Sequence, residues 1–230
     1  MSLHKSLDIT ALVPVYNEEE FLAKSINRLL DEGIVKKIII IDDSSIDNSA
    51  EIVQKFTNKY QFIDSYKTPN NLGKGGAINF VKNFIETKYV VIHDADLEYN
   101  PKDITSLIDK LSPNEESFVI GSRFLKNSHP QHYLRTYWAN KFLSKLFSIK
   151  NKVVITDIAS CYKLFPSEFF KNTEFKSNGF EFEVEIVAKY LKYSKNIYEC
   201  GIDYQSRTYK EGKKIKFIDF FKYIYAIYLY

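Results

Sequence analysis

The chain has 230 residues, 45% hydrophobic and 27% charged, so it can close a sizeable core without disulfide or metal staples and is neither disordered nor fibrous. Its net charge of +3 is too small to imply a nucleic-acid partner. Its two cysteines, Cys161 and Cys200, lack metal-ligand spacing and form no disulfide framework, which suits a reducing cytoplasm. Met1 to Asp8 has no apolar leader segment, and no apolar run reaches the ~18 residues of a membrane span.

Leu7 to Val13 reads as a first, mostly apolar strand. It runs into Pro14-Val15-Tyr16-Asn17-Glu18-Glu19, where Asn17 is placed to cap a helix and Glu20 completes a box-like pattern. Phe21, Leu22, Ile26, Leu29 and Leu30 recur at helical spacing, and Gly33 ends that helix. Lys37 to Ile41 is a second strand, rich in β-branched residues as in a sheet buried on both faces. It ends in Asp42-Asp43-Ser44-Ser45, with Asp47 placed to start a helix through Lys59 and a third strand over Gln61 to Tyr66. This alternation predicts βαβ units on a mostly parallel sheet.

Asn70 to Ala77 brings three glycines and Lys74 to a helix start. They either cradle a phosphate or pack that start tightly against the sheet; the spacing is not that of a P-loop, and packing is favoured. A helix over Ala77 to Thr87 leads into a strand over Tyr89 to Ile92. Ile104 to Leu111 is helical, and the strand Phe118 to Ile120 runs into Gly121-Ser122-Arg123. A helix over Tyr133 to Ile149 aligns Leu134, Trp138, Phe142 and Leu146 on one face. Val153 to Ile155 reads as a strand before Thr156-Asp157, and Cys161 to Phe165 as another, with Cys161 a small buried residue and not a nucleophile. In the helix over Phe180 to Tyr193, Glu181, Glu183 and Glu185 read mostly as a solvated face. Asn196 to Tyr204 is the last strand, and Phe217 to Tyr230 the closing helix.

The apolar strand Tyr89 to Ile92 ends in Asp94 and Asp96. Two carboxylates at such an end are hard ligands suited to Mg²⁺ or Mn²⁺, or are ordinary turn and capping residues. His93 alternates to the other side of the strand and reads as structural. Three strands end in acidic or proline-anchored turns, at Pro14 to Glu18, Asp42-Asp43 and Asp94 to Asp96, and in a doubly wound sheet these ends converge on one crevice. From Gly201 to Tyr230 six cations face three anions, an excess equal to the net charge of the chain. With its aromatic residues this tail suits an anionic membrane surface, or is a solvated loop followed by a core-packing helix.

Pro14 to Glu19, Asp42 to Ser45, Asn71-Leu72-Gly73-Lys74-Gly75, Asp94-Ala95-Asp96-Leu97, Gly121-Ser122-Arg123 and Arg207 to Lys214 occur in that order. Together they resemble the family-2 glycosyltransferases of GT-A fold, and among them the group similar to dolichol-phosphate mannose synthase. Thr156 to Phe165 and Gly179 to Phe182 also look like that group. The resemblance implies one α/β domain over 1–230, a Rossmann-like, mostly parallel sheet with helices on both faces. It implies transfer from a nucleotide-diphosphate sugar, GDP-mannose or a UDP-hexose, to a polyprenyl phosphate, with inversion.

The same resemblance places Pro14, Tyr16, Glu18, Ile41 and Asp43 around the nucleotide. Asp94, Ala95 and Asp96 would hold the diphosphate and its Mg²⁺ or Mn²⁺, with Glu98 a further ligand. Arg123, Arg207 and Lys213 would contact phosphates, joined by Arg135 if its helix faces the site. Where the family more often has glycine this chain has Ser44, so the turn there is expected to differ. A phosphate acceptor is already an anionic nucleophile; a hydroxyl acceptor needs a base, for which Asp157 is the candidate unless it is a turn or cap residue. The alternatives are transfer to a hydroxyl of a cell-surface glycan, or a non-catalytic membrane-docking module. The expected setting is the cytoplasmic face of a membrane, reached through Lys210 to Lys216 and the closing helix or through a membrane partner protein.

Overall fold

The computed structural model describes residues 7–112, 116–126, 134–207, 214 and 217–230. Strands β1 (Leu7–Val15), β2 (Val35–Asp42), β3 (Ile63–Lys67), β4 (Tyr89–Ile92), β5 (Phe118–Ser122), β6 (Lys163–Pro166) and β7 (Ile197–Gly201) form one sheet. Their order is β3-β2-β1-β4-β6-β5-β7. β6 runs antiparallel to β4 and β5, and every other neighbouring pair is parallel. Consecutive residues of β2 and β4 are buried whatever their parity, so both faces of the sheet are covered. That is why these strands read as unbroken apolar runs.

The helices are α1 (Leu22–Glu32), α2 (Ser49–Lys59), α3 (Gly73–Phe80), α4 (Asp103–Ile108), α5 (Leu134–Asn151), α6 (Ser167–Asn172), α7 (Phe182–Tyr193) and α8 (Phe217–Leu229). In α1 the buried stripe Leu22, Ser25, Ile26 and Leu29 follows the helical period, and Gly33 closes the helix in the left-handed conformation. The expected Asn17 cap is not formed. Asn17 has φ +50° and its Oδ1 accepts the Ile46 N–H at 2.8 Å, stitching the loop after β1 to the loop after β2. Ser44, expected to alter its turn, takes the left-handed φ of +59° that glycine would take. Its hydroxyl donates to the Thr68 carbonyl at 2.8 Å, which offsets part of the strain.

α3 starts at Gly73, four residues before the predicted Ala77. A Cβ on Gly75 would lie 2.4 Å from the Ser177 carbonyl and 2.6 Å from Phe182 Cβ. The glycines therefore serve close packing, as expected, but against the loop at 177–179 and the start of α7, not against the sheet. Val153 to Ile155 is not a strand, so Asp157 does not stand at a strand end.

The acidic run of α7 differs from its predicted solvated side. Glu183 and Glu185 are buried, because each meets lysines or backbone N–H groups on neighbouring elements. In α5, of the residues placed on one face, Leu134, Trp138 and Phe142 are exposed and Leu146 packs partly against the core, while Leu143 and Phe147 are buried. His93 is buried with Nε2 3.0 Å from Ser25 Oγ and Nδ1 2.9 Å from Tyr162 Oη. Burial lowers its pKa to about 4, so it stays neutral.

Candidate active site

Because β1, β2, β4, β5 and β7 run the same way, their carboxyl ends meet at one edge of the sheet. The order switches direction between β1 and β4, the place where an open α/β sheet leaves a crevice. A cavity of about 1040 Å³ lies there. Pro14 reaches it from the end of β1, Tyr16 and Glu18 after β1, Asp43 after β2, Asp94, Ala95, Asp96 and Glu98 after β4, and Arg123 after β5. Tyr204 and Arg207 reach it after β7, and Arg135 from α5. Ile41, expected beside the base, is fully buried in β2 and does not line the cavity. Lys213 and most of Lys210 to Lys216 lie outside the described residues.

The paired acids are not equivalent. Asp94 is bonded through both oxygens to the Lys74 ammonium, at 2.8 and 2.9 Å. Burial alone would raise its pKa, but the charge and hydrogen bond of Lys74 outweigh that and hold it below the usual value. Lys74 also meets Glu183 at 2.9 Å, and the other oxygen of Glu183 meets the fully buried Lys163 at 2.6 Å. Asp96 is raised to about 8 by burial and by the neighbouring Glu98 and Asp94 charges, which Arg207 only partly counters. The turn after it is strained, with Leu97 at φ +62°.

Arg207 closes the cavity from the far end of the chain. Its guanidinium meets Glu18 at 3.0 and 3.2 Å and Asp96 at 3.2 Å. Its backbone N–H donates to Glu98 at 2.6 Å, and Tyr204 donates to the other Glu98 oxygen at 2.9 Å. Glu98, expected as a further metal ligand, is therefore engaged with this segment. Lys214 donates to Glu18 at 2.5 Å and to the Tyr16 carbonyl. Among the described residues the buried Nε of Arg207, at the cavity edge, meets no hydrogen-bond partner.

Asp43 holds the start of α3, its oxygens accepting the Leu72 and Gly73 N–H groups at 2.8 Å each. Asp157 does not line the cavity: it is 0% exposed and accepts from Arg123 Nε at 2.7 Å, Arg123 Nη2 at 2.8 Å and the Arg123 backbone at 3.0 Å. Both its oxygens are taken by Arg123, whereas the sequence offered Asp157 as a base for a hydroxyl acceptor or as a turn or cap residue. Arg123 in turn lies over the Tyr204 ring, 5.0 Å from its centre. Cys161 is buried at the cavity wall, and burial pushes its thiol well up, so it stays protonated.

Sequence reasoning missed Lys74, Glu183 and Tyr204 as lining residues. Lys74 was visible at a glycine-rich helix start, but only the packing of α3 on α7 brings it to Asp94. Among the described residues no three His, Cys, Asp or Glu side chains converge as a ready-made metal cage. A Mg²⁺ or Mn²⁺ ion needs no such cage, since one or two carboxylates and substrate phosphates suffice. Asp94 and Asp96 fit that role: they are oxygen donors, and the raised Asp96 marks a site short of positive charge.

A mixed sheet of this order with its acid pair at the crevice is the GT-A architecture of nucleotide-sugar-dependent transferases. Structures of glucosyl-3-phosphoglycerate synthase from Mycobacterium tuberculosis share it, with a TM-score of 0.73 at 16% identity over 95% of this chain and 78% of that one. One structure of that enzyme holds Mn²⁺ and UDP. The profile of Glycosyl transferase family 2 matches residues 10–173, and the chain belongs to that family. It is 28% identical to the glycosyltransferase AglJ of Haloferax volcanii over 80% of this chain and 58% of that one. It is 26% identical to the dolichol-phosphate mannosyltransferase of Pyrococcus furiosus over 96% of this chain and 64% of that one. The chain thus spans less than two thirds of either relative.

Proposed function

We propose that this glycosyltransferase moves a hexose from a nucleotide-diphosphate sugar to a polyprenyl phosphate at a membrane surface, with inversion at the sugar carbon. The observation that carries the acceptor is the state of the carboxylates. Of the acidic side chains lining the described cavity, Glu18, Asp43, Asp94, Glu98, Glu183 and Asp219 are already ion-paired or hydrogen-bonded, and Asp96, raised to about 8, keeps its proton beside Arg207. A hydroxyl acceptor needs a base to take its proton, whereas a phosphate oxygen attacks as it is. The printed name of the Pyrococcus relative, a dolichol-phosphate enzyme, supports the same acceptor class.

Mg²⁺ or Mn²⁺ held by Asp94 and Asp96 would bind the diphosphate and stabilise the charge that builds on it as the sugar leaves. The Mn²⁺ and UDP in the mycobacterial enzyme support this reading. Arg207, Lys74 and Arg123, whose side chains are largely buried, supply further positive charge where it acts more strongly than in water. The Arg207 guanidinium, at the cavity edge, orients a phosphate. Pro14, Tyr16, Glu18 and Asp43 line the nucleotide end, and Lys213 is assigned to the phosphates by the family resemblance. The chain acts as one catalytic domain at the cytoplasmic face.

The test is incubation with labelled GDP-mannose or UDP-hexoses, Mn²⁺ and a polyprenyl phosphate in detergent. Label should enter an organic-extractable, acid-labile product whose anomeric configuration, read by NMR, is inverted. Label entering only a water-soluble glycan would refute the acceptor, and a retained configuration would refute the mechanism.

A further inference from the structure

Arg123 is held by residues beyond those it touches. The stretch 155–158 belongs to no helix or strand, yet each of its four consecutive backbone N–H groups has a side-chain partner. Ile155 donates to Ser148 Oγ and Ile158 to Ser144 Oγ, at 3.1 Å each, so α5 holds the two ends. The two middle groups go to one carboxylate on β7. Glu199 accepts the Thr156 N–H through both oxygens, at 2.8 and 3.0 Å, and the Asp157 N–H at 3.2 Å. The peptide that Glu199 anchors is thus the one whose carboxylate grips the Arg123 guanidinium.

A second arm reaches Arg123 along the sheet. In the parallel pairing of β5 with β7, Glu199 stands opposite Ile120 and Gly201 opposite Ser122. Residues two apart share a face, so Glu199 and Ser122 project to the same side. Thr156 joins them. Its hydroxyl donates to Glu199 at 3.0 Å and, having one proton, accepts from Ser122 at 2.6 Å. Ser122 Oγ in turn accepts the Phe124 N–H at 3.2 Å. Both chain neighbours of Arg123 are therefore tied to Glu199, as is its ion-pair partner.

Glu199 does not line the cavity, and among the described residues no lysine or arginine pairs with it. One serine hydroxyl suffices for each outer N–H of the stretch. Two N–H groups and a hydroxyl together exceed the lone pairs of an amide oxygen and suit the fuller acceptor set of a carboxylate.

We propose that Glu199 is a positioning residue of the transfer site, fixing the pose of Arg123 by anchoring both Asp157 and the end of β5. That Arg123 faces a phosphate rests on the function proposed above; that Glu199 sets its pose does not.

The chain has four arginines, Arg28, Arg123, Arg135 and Arg207, so the Nε–H signal of Arg123 in ¹⁵N NMR is the one that Arg123→Lys removes. Glu199→Leu should shift that signal and speed its exchange with solvent roughly tenfold. Glu199→Gln keeps one acceptor oxygen and should restore most of the protection. Thr156→Val cuts only the hydroxyl arm and should move the signal less; it decides the matter if Glu199→Leu does not fold. In titration calorimetry with Mn²⁺ and inorganic pyrophosphate, Glu199→Leu should weaken binding roughly tenfold, and add nothing in an Arg123→Met background. A merely structural role would weaken both backgrounds alike and would overturn the proposal. So would an Arg123 signal unmoved in the folded variants. If Arg123→Met bound pyrophosphate like the wild type, the phosphate role of Arg123 would fail, and the Nε–H signal would still decide for or against Glu199.

Discussion

Replacing Asp157 by Asn separates two roles for that residue. As the orienting partner of Arg123, Asp157 takes part in a buried ion pair with a two-pronged contact at 2.7 and 2.8 Å. Breaking one side of such a pair leaves the other charge buried and costs about 3–5 kcal/mol. Arg123 borders the cavity, so water can reach part of its guanidinium, and one amide oxygen can still accept one bond. The cost then falls at the lower end, about 3 kcal/mol for Asn and nearer 4 for Ala. For a chain of 230 residues each kcal/mol lowers the melting temperature by roughly 2–4 °C, so the Asn variant should melt about 6–12 °C lower. Differential scanning calorimetry of the wild type, Asp157→Asn, Arg123→Met and the double variant provides the check. The double variant should be less destabilised than the sum of the singles, because neither charge is then left alone. A catalytic base would behave otherwise. If Asp157→Asn melted with the wild type while turnover collapsed, the orienting role would be wrong and the base reading restored.

Lys74→Met should strengthen Mn²⁺ binding roughly tenfold in titration calorimetry, since the Lys74 ammonium occupies both oxygens of Asp94; unchanged or weaker binding would show that Lys74 does not compete with the cation. Asp96 has its pKa raised to about 8 against an ordinary 3.8, so the folded chain keeps a proton that the unfolded chain releases. The stability it contributes in EDTA is therefore whole below pH ~4 and is lost as pH climbs to about 8, by at most ~1.4 kcal/mol per pH unit. Melting curves of wild type and Asp96→Asn over that range should diverge accordingly, and parallel curves would disprove the shift. Gly75→Ala would press a methyl against the Ser177 carbonyl at 2.4 Å and should cost about 1–3 kcal/mol in urea unfolding. An unchanged midpoint would mean that α3 and α7 can part without cost.

Much of the frame was open to reading because it depends on neighbours in the chain. The apolar runs of β1, β2 and β4, the stripe of α1 and the left-handed stop at Gly33 follow from backbone geometry and burial on a local period. Asp94 after β4 and Glu18 after β1 could be placed at one crevice because parallel strands deliver their ends to one edge. The errors lie where local pattern was ambiguous. α5 is apolar on two sides, so periodicity offered no choice between the Trp138 face and the Leu143 face, and the core took the latter. Glu183 and Glu185 looked solvated because helix spacing does not reveal the lysines and amides that await them.

By itself, then, the order of residues determined most of the segments that become strands and helices and placed Asp43, Asp94 and Asp96 just beyond strand ends. The tertiary structure alone decided the pairings: Arg123 with Asp157 across 34 positions, Arg207 with Glu18 across 189, and Lys74 with Asp94 across 20. The physical reason is dielectric. A charge in water is satisfied wherever it lies, but a charge enclosed by packing must find a partner in space, and that partner is fixed only when the chain has closed around both.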